Sequence, residues 1–209
     1  MASLGMLGKK VGMTQIFDNV GMAIPVTILE VGPCTITKIN NKQLNKYNSI
    51  QIGYDYINPD KLTKPIIGIF KKLKLPCFKY LKEYKTSSYK TDNLNIGQVL
   101  TVKELKIGNL INISGISIGK GFSGYQKRHH FSRGPMSHGS KNHKQPGSIG
   151  AGTTPGRVFP GKKMAGRMGG KKVTIQNLEI LDINTKDNII IIKGSVPGKN
   201  GNILYIYQK

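Results

Sequence analysis

The chain has 209 residues, with 32 Lys and Arg against 10 Asp and Glu, a formal net charge of +22 at pH 7. That length suits one domain or two small ones of roughly 100–200 residues each. A hydrophobic content of 38% supplies a core and excludes wholesale disorder. The longest apolar runs, 65–70 and 189–192, fall far short of the ~20 residues that span a bilayer. Two cysteines, Cys34 and Cys77, make neither a disulfide framework nor a metal knot. The N-terminus reaches Lys9 and Lys10 before any long apolar stretch, so it does not read as a signal peptide, and it lacks the Arg/Ser bias of a transit peptide. A soluble, very basic protein of a reducing compartment is expected, and its charge points to a polyanionic partner.

Taken in chain order, short β-rich runs separated by turn residues come first. They are Ile24–Val31, Cys34–Ile39 and Ser49–Tyr54, broken by Gly32-Pro33 and by the stretch 40–48. In Lys61–Leu75, Pro65 can open a short helix carrying Ile66, Ile67, Ile69, Phe70 and Leu73, with lysines on its other face. Further strands are expected at Gln98–Val102 and Leu110–Ile116. After a long basic segment come Val173–Ile175, Leu178–Ile183, Ile189–Lys193 and Ile203–Tyr207, with Asn184–Asn188 and Pro197–Asn202 as hairpin turns. The expected fold is mainly β: a β-barrel or β-sandwich core of residues 1–118 and 173–209, with a small α-containing insert near 58–95. A long irregular basic extension, 119–172, leaves that core and returns to it.

Charge defines the extension. No acid falls between Lys106 and Leu178, while 119–172 carries Lys120, Lys127, Arg128, Arg133, Lys141, Lys144, Arg157, Lys162, Lys163, Arg167, Lys171 and Lys172. All four histidines, His129, His130, His138 and His143, lie there too, with thirteen of the 26 glycines. Lacking an apolar run and repelling itself, such a segment does not fold alone. A solvated loop is the plain reading of a basic run. Against it, single aromatics (Phe122, Tyr125, Phe131, Phe159) and single prolines are dispersed among the glycines, and a quarter of the chain is too long for an idle connection. The segment reads as one ordered by a polyanion, its glycines letting the backbone approach phosphates that Lys and Arg neutralise.

Enzymatic readings of the same residues fail on their missing parts. Gly119–Gly124 matches G-x-G-x-x-G, but no acid for a ribose appears until Glu179. Gly156–Lys163 nearly matches a P-loop, yet Lys163 stands where a Ser or Thr would hold Mg²⁺. The histidine spacings do not fit zinc ligation and no cysteine lies near. Ser132, Ser137 and Ser140 sit beside histidines without a local carboxylate to orient a base. Neither metal, cofactor nor small-molecule substrate is expected, and a membrane surface would need a continuous apolar helix face, which the glycines and prolines preclude.

Several motifs in order resemble the universal third protein of the large ribosomal subunit, bacterial and plastid type. They are Leu7–Phe17, Ile24–Thr27, the set Leu105, Asn112, Gly115, Ser117, Gly119–Gly121, Gly124 and Arg128, then His138–Ser140, Pro146–Gly150, Thr154–Gly156, Gly161–Gly166 and Lys193–Gly198. The resemblance covers essentially the whole chain, residues about 58–95 being divergent. It implies a translation-protein-like β-barrel and an extension running through large-subunit rRNA toward the peptidyl-transferase centre. It also implies binding near the three-prime end of that RNA, nucleation of assembly, and neighbouring ribosomal proteins as partners. By that resemblance Lys9 and Lys10 join the extension's bases and histidines as rRNA-binding residues. The innermost tip is Ile149, Gly150, Ala151, Gly152, Thr153, Thr154 and Pro155. Bacterial relatives usually place Gln and Asn where Ala151–Thr154 stand, so methylation of such a Gln is impossible here. An RNA-acting enzyme or another basic RNA-binding module is the alternative function. Ile, Lys, Asn and Tyr richness, as in 42–47 and 189–192, suggests an A/T-rich gene. A plastid ribosome is the expected compartment, with a bacterial cytoplasm as runner-up.

Overall fold

Most of the apolar side chains sit on alternating positions of strands, and the only way to bury such faces without leaving open edges is to wrap the sheet on itself. The computed structural model describes residues 5–40, 47–86 and 94–208. In chain order it has β1 (Gly5–Phe17), β2 (Ala23–Val31), β3 (Cys34–Asn40), β4 (Ser49–Tyr56), α1 (Lys64–Leu73), β5 (Phe78–Lys85), β6 (Val99–Leu100) and β7 (Leu110–Ile116). There follow β8 (Phe122–Ser123), α2 (Tyr125–His129), β9 (Gly166–Arg167), β10 (Lys172–Asn184), β11 (Ile189–Lys193) and β12 (Ile203–Gln208). Two compact units emerge, one of 1–116 with 172–209, the other of 117–171.

In the first unit six antiparallel strands form a closed ring, β1–β12–β7–β10–β11–β2 and back to β1. A second sheet, β5–β4–β3–β6, shares its core. Leu7, Leu29, Ile113, Ile180, Ile190 and Leu204 of the ring are fully buried, as is Ile36 of the second sheet. Register shifts at Lys10/Gly12, Ile175/Leu178 and Ile180/Asp182 supply the local bends a closed ring needs. Ile116 pairs with Lys172, so β7 and β10 are one hairpin whose connection is the whole second unit.

Several expectations change. Val173–Ile175 and Leu178–Ile183 are one strand: Asn177 takes a left-handed φ of 57°, and its N–H donates to Asn112 Oδ1 at 2.9 Å. The apparent break is therefore a kink. Pro197–Asn202 is not a hairpin turn, because β11 pairs with β2 and β10, and β12 with β1 and β7. Gln98–Val102 shortens to β6, followed by a 3-10 turn at Val102–Glu104. Of the turn at 40–48, residues 41–46 lie outside the described set.

Four strands were not anticipated: β1 and β5 in the first unit, and the short β8 and β9 within the basic extension. β1 is masked in sequence by Gly5, Gly8 and Gly12, which weaken its strand signal; yet a Cβ at Gly5 would overlap the Tyr84 ring, so the glycine admits the aromatic. β5 lies in the insert beside α1. Helix α1 begins at Lys64, one residue before Pro65. It buries Phe70 edge-on against Phe78, ring centroids 5.8 Å apart, whereas Ile69, expected on the apolar face, is 57% exposed.

Candidate nucleic-acid interface

The second unit, Ser117–Lys171, contains no carboxylate, so it cannot be held together by internal ion pairs. Backbone and half-buried side chains do that instead. At its stem, Ser117 N–H donates to Lys171 O at 2.9 Å and Gly170 N–H to Ser117 O at 3.1 Å. Lys120 and Met168 continue the ladder into the β8–β9 ribbon, where Phe122 pairs with Arg167 and Ser123 with Gly166. Gly169 adopts φ 71°, and a Cβ there would collide with the Ile118 carbonyl. Only glycine permits that close crossing.

Beyond the ribbon, α2 turns out through His130 in the left-handed region, its N–H donating to Gln126 O at 2.9 Å. Tyr125 stacks on Phe131 at 5.8 Å between centroids. Arg128 Nη1 donates to Met164 O at 2.6 Å, and His129 Nε2 lies 2.8 Å from the same carbonyl. His143 Nδ1 is 2.9 Å from Pro135 O, and Gly134 N–H donates to His143 O at 3.1 Å. A cavity of about 210 Å³ is lined by Gly124, Tyr125, Gln126, Lys127 and Lys144. Past Gly147 the backbone is irregular, with turns at 153–155 and 160–161, and 149–155 are exposed.

The sequence-derived candidates thus separate into groups. Lys120, Lys127, Arg133, Lys141, Lys144, Arg157, Lys162, Lys163, Arg167 and Lys171 are exposed, with His130 and His138. Arg157 also rests over the Phe159 ring, 6.0 Å from its centroid. Arg128, His129 and His143 are half-buried and tied to main-chain carbonyls. Lys172 belongs to β10, its ammonium 5.6 Å from the Tyr205 ring centroid.

Lys9 and Lys10 lie on β1 in the first unit. Lys9 pairs with Asp55 at 3.1 Å, the one ion pair among the described residues. Lys10 is buried and donates to the Val196 and Gly198 carbonyls, both at 3.3 Å. That ammonium is turned inward, which sets Lys10 apart from the exposed cations. Sequence reasoning did not single out Gln126, whose Nε2 donates to His143 O at 3.4 Å. Its position between Tyr125 and Lys127 is the only signal that pointed there.

Comparison with known proteins decides the family. The sequence profile described as Ribosomal protein L3 matches residues 87–189. Over 98% of this chain and 99% of its own length, the large ribosomal subunit protein uL3c of the alga Gracilaria tenuistipitata var. liui is 64% identical. The uL3c protein of Porphyra purpurea is 56% identical over 98% of both chains. The uL3 protein of Trichormus variabilis is 52% identical over 98% of this chain and 96% of its own.

The chain belongs to the ribosomal protein L3 family. It is a structural protein of the large ribosomal subunit, not an enzyme. Within the family it is of the bacterial and plastid type, and its algal relatives place it with the plastid ribosome. The glycine-rich matches at 119–124 and 156–163 are accordingly backbone segments of a ribosomal protein: the first includes strand β8 of the ribbon, and the second is an exposed loop.

Proposed function

We propose that the 117–171 unit is the principal rRNA-binding element of this subunit protein. It binds near the three-prime end of the large-subunit rRNA, nucleates assembly there, and carries Ile149–Pro155 toward the peptidyl-transferase centre. The supporting observation is that eleven Lys and Arg in this unit face no carboxylate within it, and ten of the eleven are exposed. Phosphates are the chemistry that answers such a surface, through release of condensed counterions. Arg157 over Phe159 and the Tyr125–Phe131 stack add flat faces suited to unpaired bases. Neighbouring ribosomal proteins complete the set of partners.

The role is one of scaffolding: the protein's cations and backbone N–H groups hold RNA in shape, and no bond is made or broken by protein groups. Deleting Gly121–Gly170 tests it. The paired residues Ser117 and Lys171 remain to close the β7–β10 hairpin. The shortened chain is expected to melt at the temperature of the full chain and to fail in subunit maturation. Normal maturation of particles lacking the segment defeats the proposal.

A further inference from the structure

A second charge anomaly lies in the first unit. Residues 11–37 contain no Lys, Arg or His at all, in a chain of net charge +22, and they include Asp18 and Glu30. Besides the start of β3, this stretch builds most of the β1–β2 hairpin. Its outer part, from Met13 to Ala23, runs beyond the ring strand β12, whose pairing with β1 ends at Lys9 opposite Ile203. Asp18 sets the turn, its Oδ1 accepting from Val20 and Met22 N–H at 2.9 Å each.

The free edge of this arm can be read from one proline. Gln15 stands opposite Pro25, which has no N–H and whose carbonyl accepts from Gly194 on the far side at 2.8 Å. Gln15–Pro25 is therefore a non-hydrogen-bonded pair. By alternation Met13, Gln15 and Phe17 direct their backbone N–H and C=O away from β2, and among the described residues no strand stands against them. Met13 and Phe17 are 49% and 65% exposed, and Val20 and Met22 at the turn 85% and 66%.

Exposed strand edges are usually guarded by lysine, proline or a bulge within the edge. The edge strand β5 follows that rule with Lys79, Lys82 and Lys85. From Met13 to Phe17, β1 has none of these. Its edge exposes Met13 and Phe17, is unguarded, and is of the wrong charge for RNA.

We propose that the Met13–Phe17 edge is a docking site for a neighbouring ribosomal protein, which adds an extended, basic segment as a further strand. Backbone hydrogen bonds to Met13, Gln15 and Phe17 supply affinity. Apolar side chains cover Met13 and Phe17, and cations of the segment face Asp18. The inference rests on the chain being a large-subunit component but not on where its extension runs.

The test replaces Phe17, in the full chain assembled into large subunits, by the photoreactive analogue p-benzoylphenylalanine. The same analogue at Phe159 reports on the extension separately. Irradiation is expected to give one stoichiometric adduct from position 17, on a Lys/Arg-rich stretch of a single ribosomal protein. Adding Gln15→Pro removes one outward N–H without touching the β1–β2 ladder, since an edge strand accepts proline on its solvent side. It is expected to leave the melting temperature unchanged and to cut the adduct at least tenfold. If that variant melts lower, Gln15→Thr with Met13→Ser, which keeps every backbone donor but loses apolar contact, is expected to reduce the adduct severalfold. An adduct to rRNA, to a second copy of this chain, or to nothing overturns the docking site, as does an adduct unchanged by these substitutions. The Phe159 probe, if it alone fails to reach rRNA, counts against the proposed function instead.

Discussion

The Arg128 guanidinium donates to the main-chain carbonyl of Met164, 36 residues away, at 2.6 Å. In a unit without acids this contact does what an ion pair would do elsewhere: it fixes α2 against the strand returning to the stem. Gly166 is part of the arrangement, since a Cβ there would lie 2.6 Å from Arg128 Nη1.

Gly166→Ala is therefore expected to displace Arg128 and loosen the ribbon, as is Arg128→Ala. A hydrogen bond from a charged donor contributes about 1.5–3 kcal/mol. Amide hydrogen exchange at Lys120 and Met168, which close the ladder, should accelerate in both variants. Exchange at Ile113 and Ile180 of the ring should not change. Unaltered exchange at Lys120 and Met168 would show that the Arg128–Met164 bond does not hold the unit.

Lys10 and the exposed lysines should separate cleanly in two measurements. Lys10→Met leaves the Val196 and Gly198 carbonyls without their donor, a loss of about 1–3 kcal/mol readable by urea unfolding. The slope of rRNA affinity against salt should stay as in the unaltered chain. A slope that falls in Lys10→Met would return this residue to the binding surface.

The combined Lys162→Ala, Lys163→Ala and Arg167→Ala chain should behave in the opposite way. Each phosphate contact contributes roughly 0.7–0.9 to the log–log salt slope, so three contacts lower it by about 2 to 3. Since all three residues are exposed in the second unit, the thermal midpoint of the first unit should hold. An undiminished slope would mean that none of the three reaches a phosphate.

Alkaline pH should weaken the first unit. Burial pushes the Cys34 thiol from 9.0 up to about 11, partly offset by the Leu7 N–H donated to its sulfur. The unfolded chain then loses this proton at lower pH than the folded chain does. Its stabilising contribution is whole below about pH 9 and declines through the interval to about 11. Burial also raises the Tyr54 and Tyr84 phenols, which extends the decline to higher pH. Cys34 alone should lower the unfolding free energy by about 1 kcal/mol between pH 9 and 10. Cys34→Ala should reduce the fall in that interval by this amount, and an equal fall in this variant would assign the loss elsewhere.

Much of the first unit was legible because alternation and turn chemistry are local. Ile24–Val31, Cys34–Ile39, Leu110–Ile116 and Ile189–Lys193 all correspond to strands. What escaped was set by contacts distant in sequence. Strand β1 hides behind glycines that make sense only once Tyr84 lies across Gly5. The Asn177 kink needs Asn112, 65 residues away, and the loop at Pro197–Asn202 resembles a hairpin until β12 is seen between β1 and β7.

The candidate interface divides in the same way. Where the charges fall along the chain is a matter of composition, and no folding can put a carboxylate into a segment that has none; the expectation of a polyanionic partner followed from that alone. Which cations are available is a matter of neighbours in space. Only packing could turn Lys10 inward onto two carbonyls and Arg128 onto Met164, because a donor withdrawn from water must find an acceptor, and these came from residues distant in sequence.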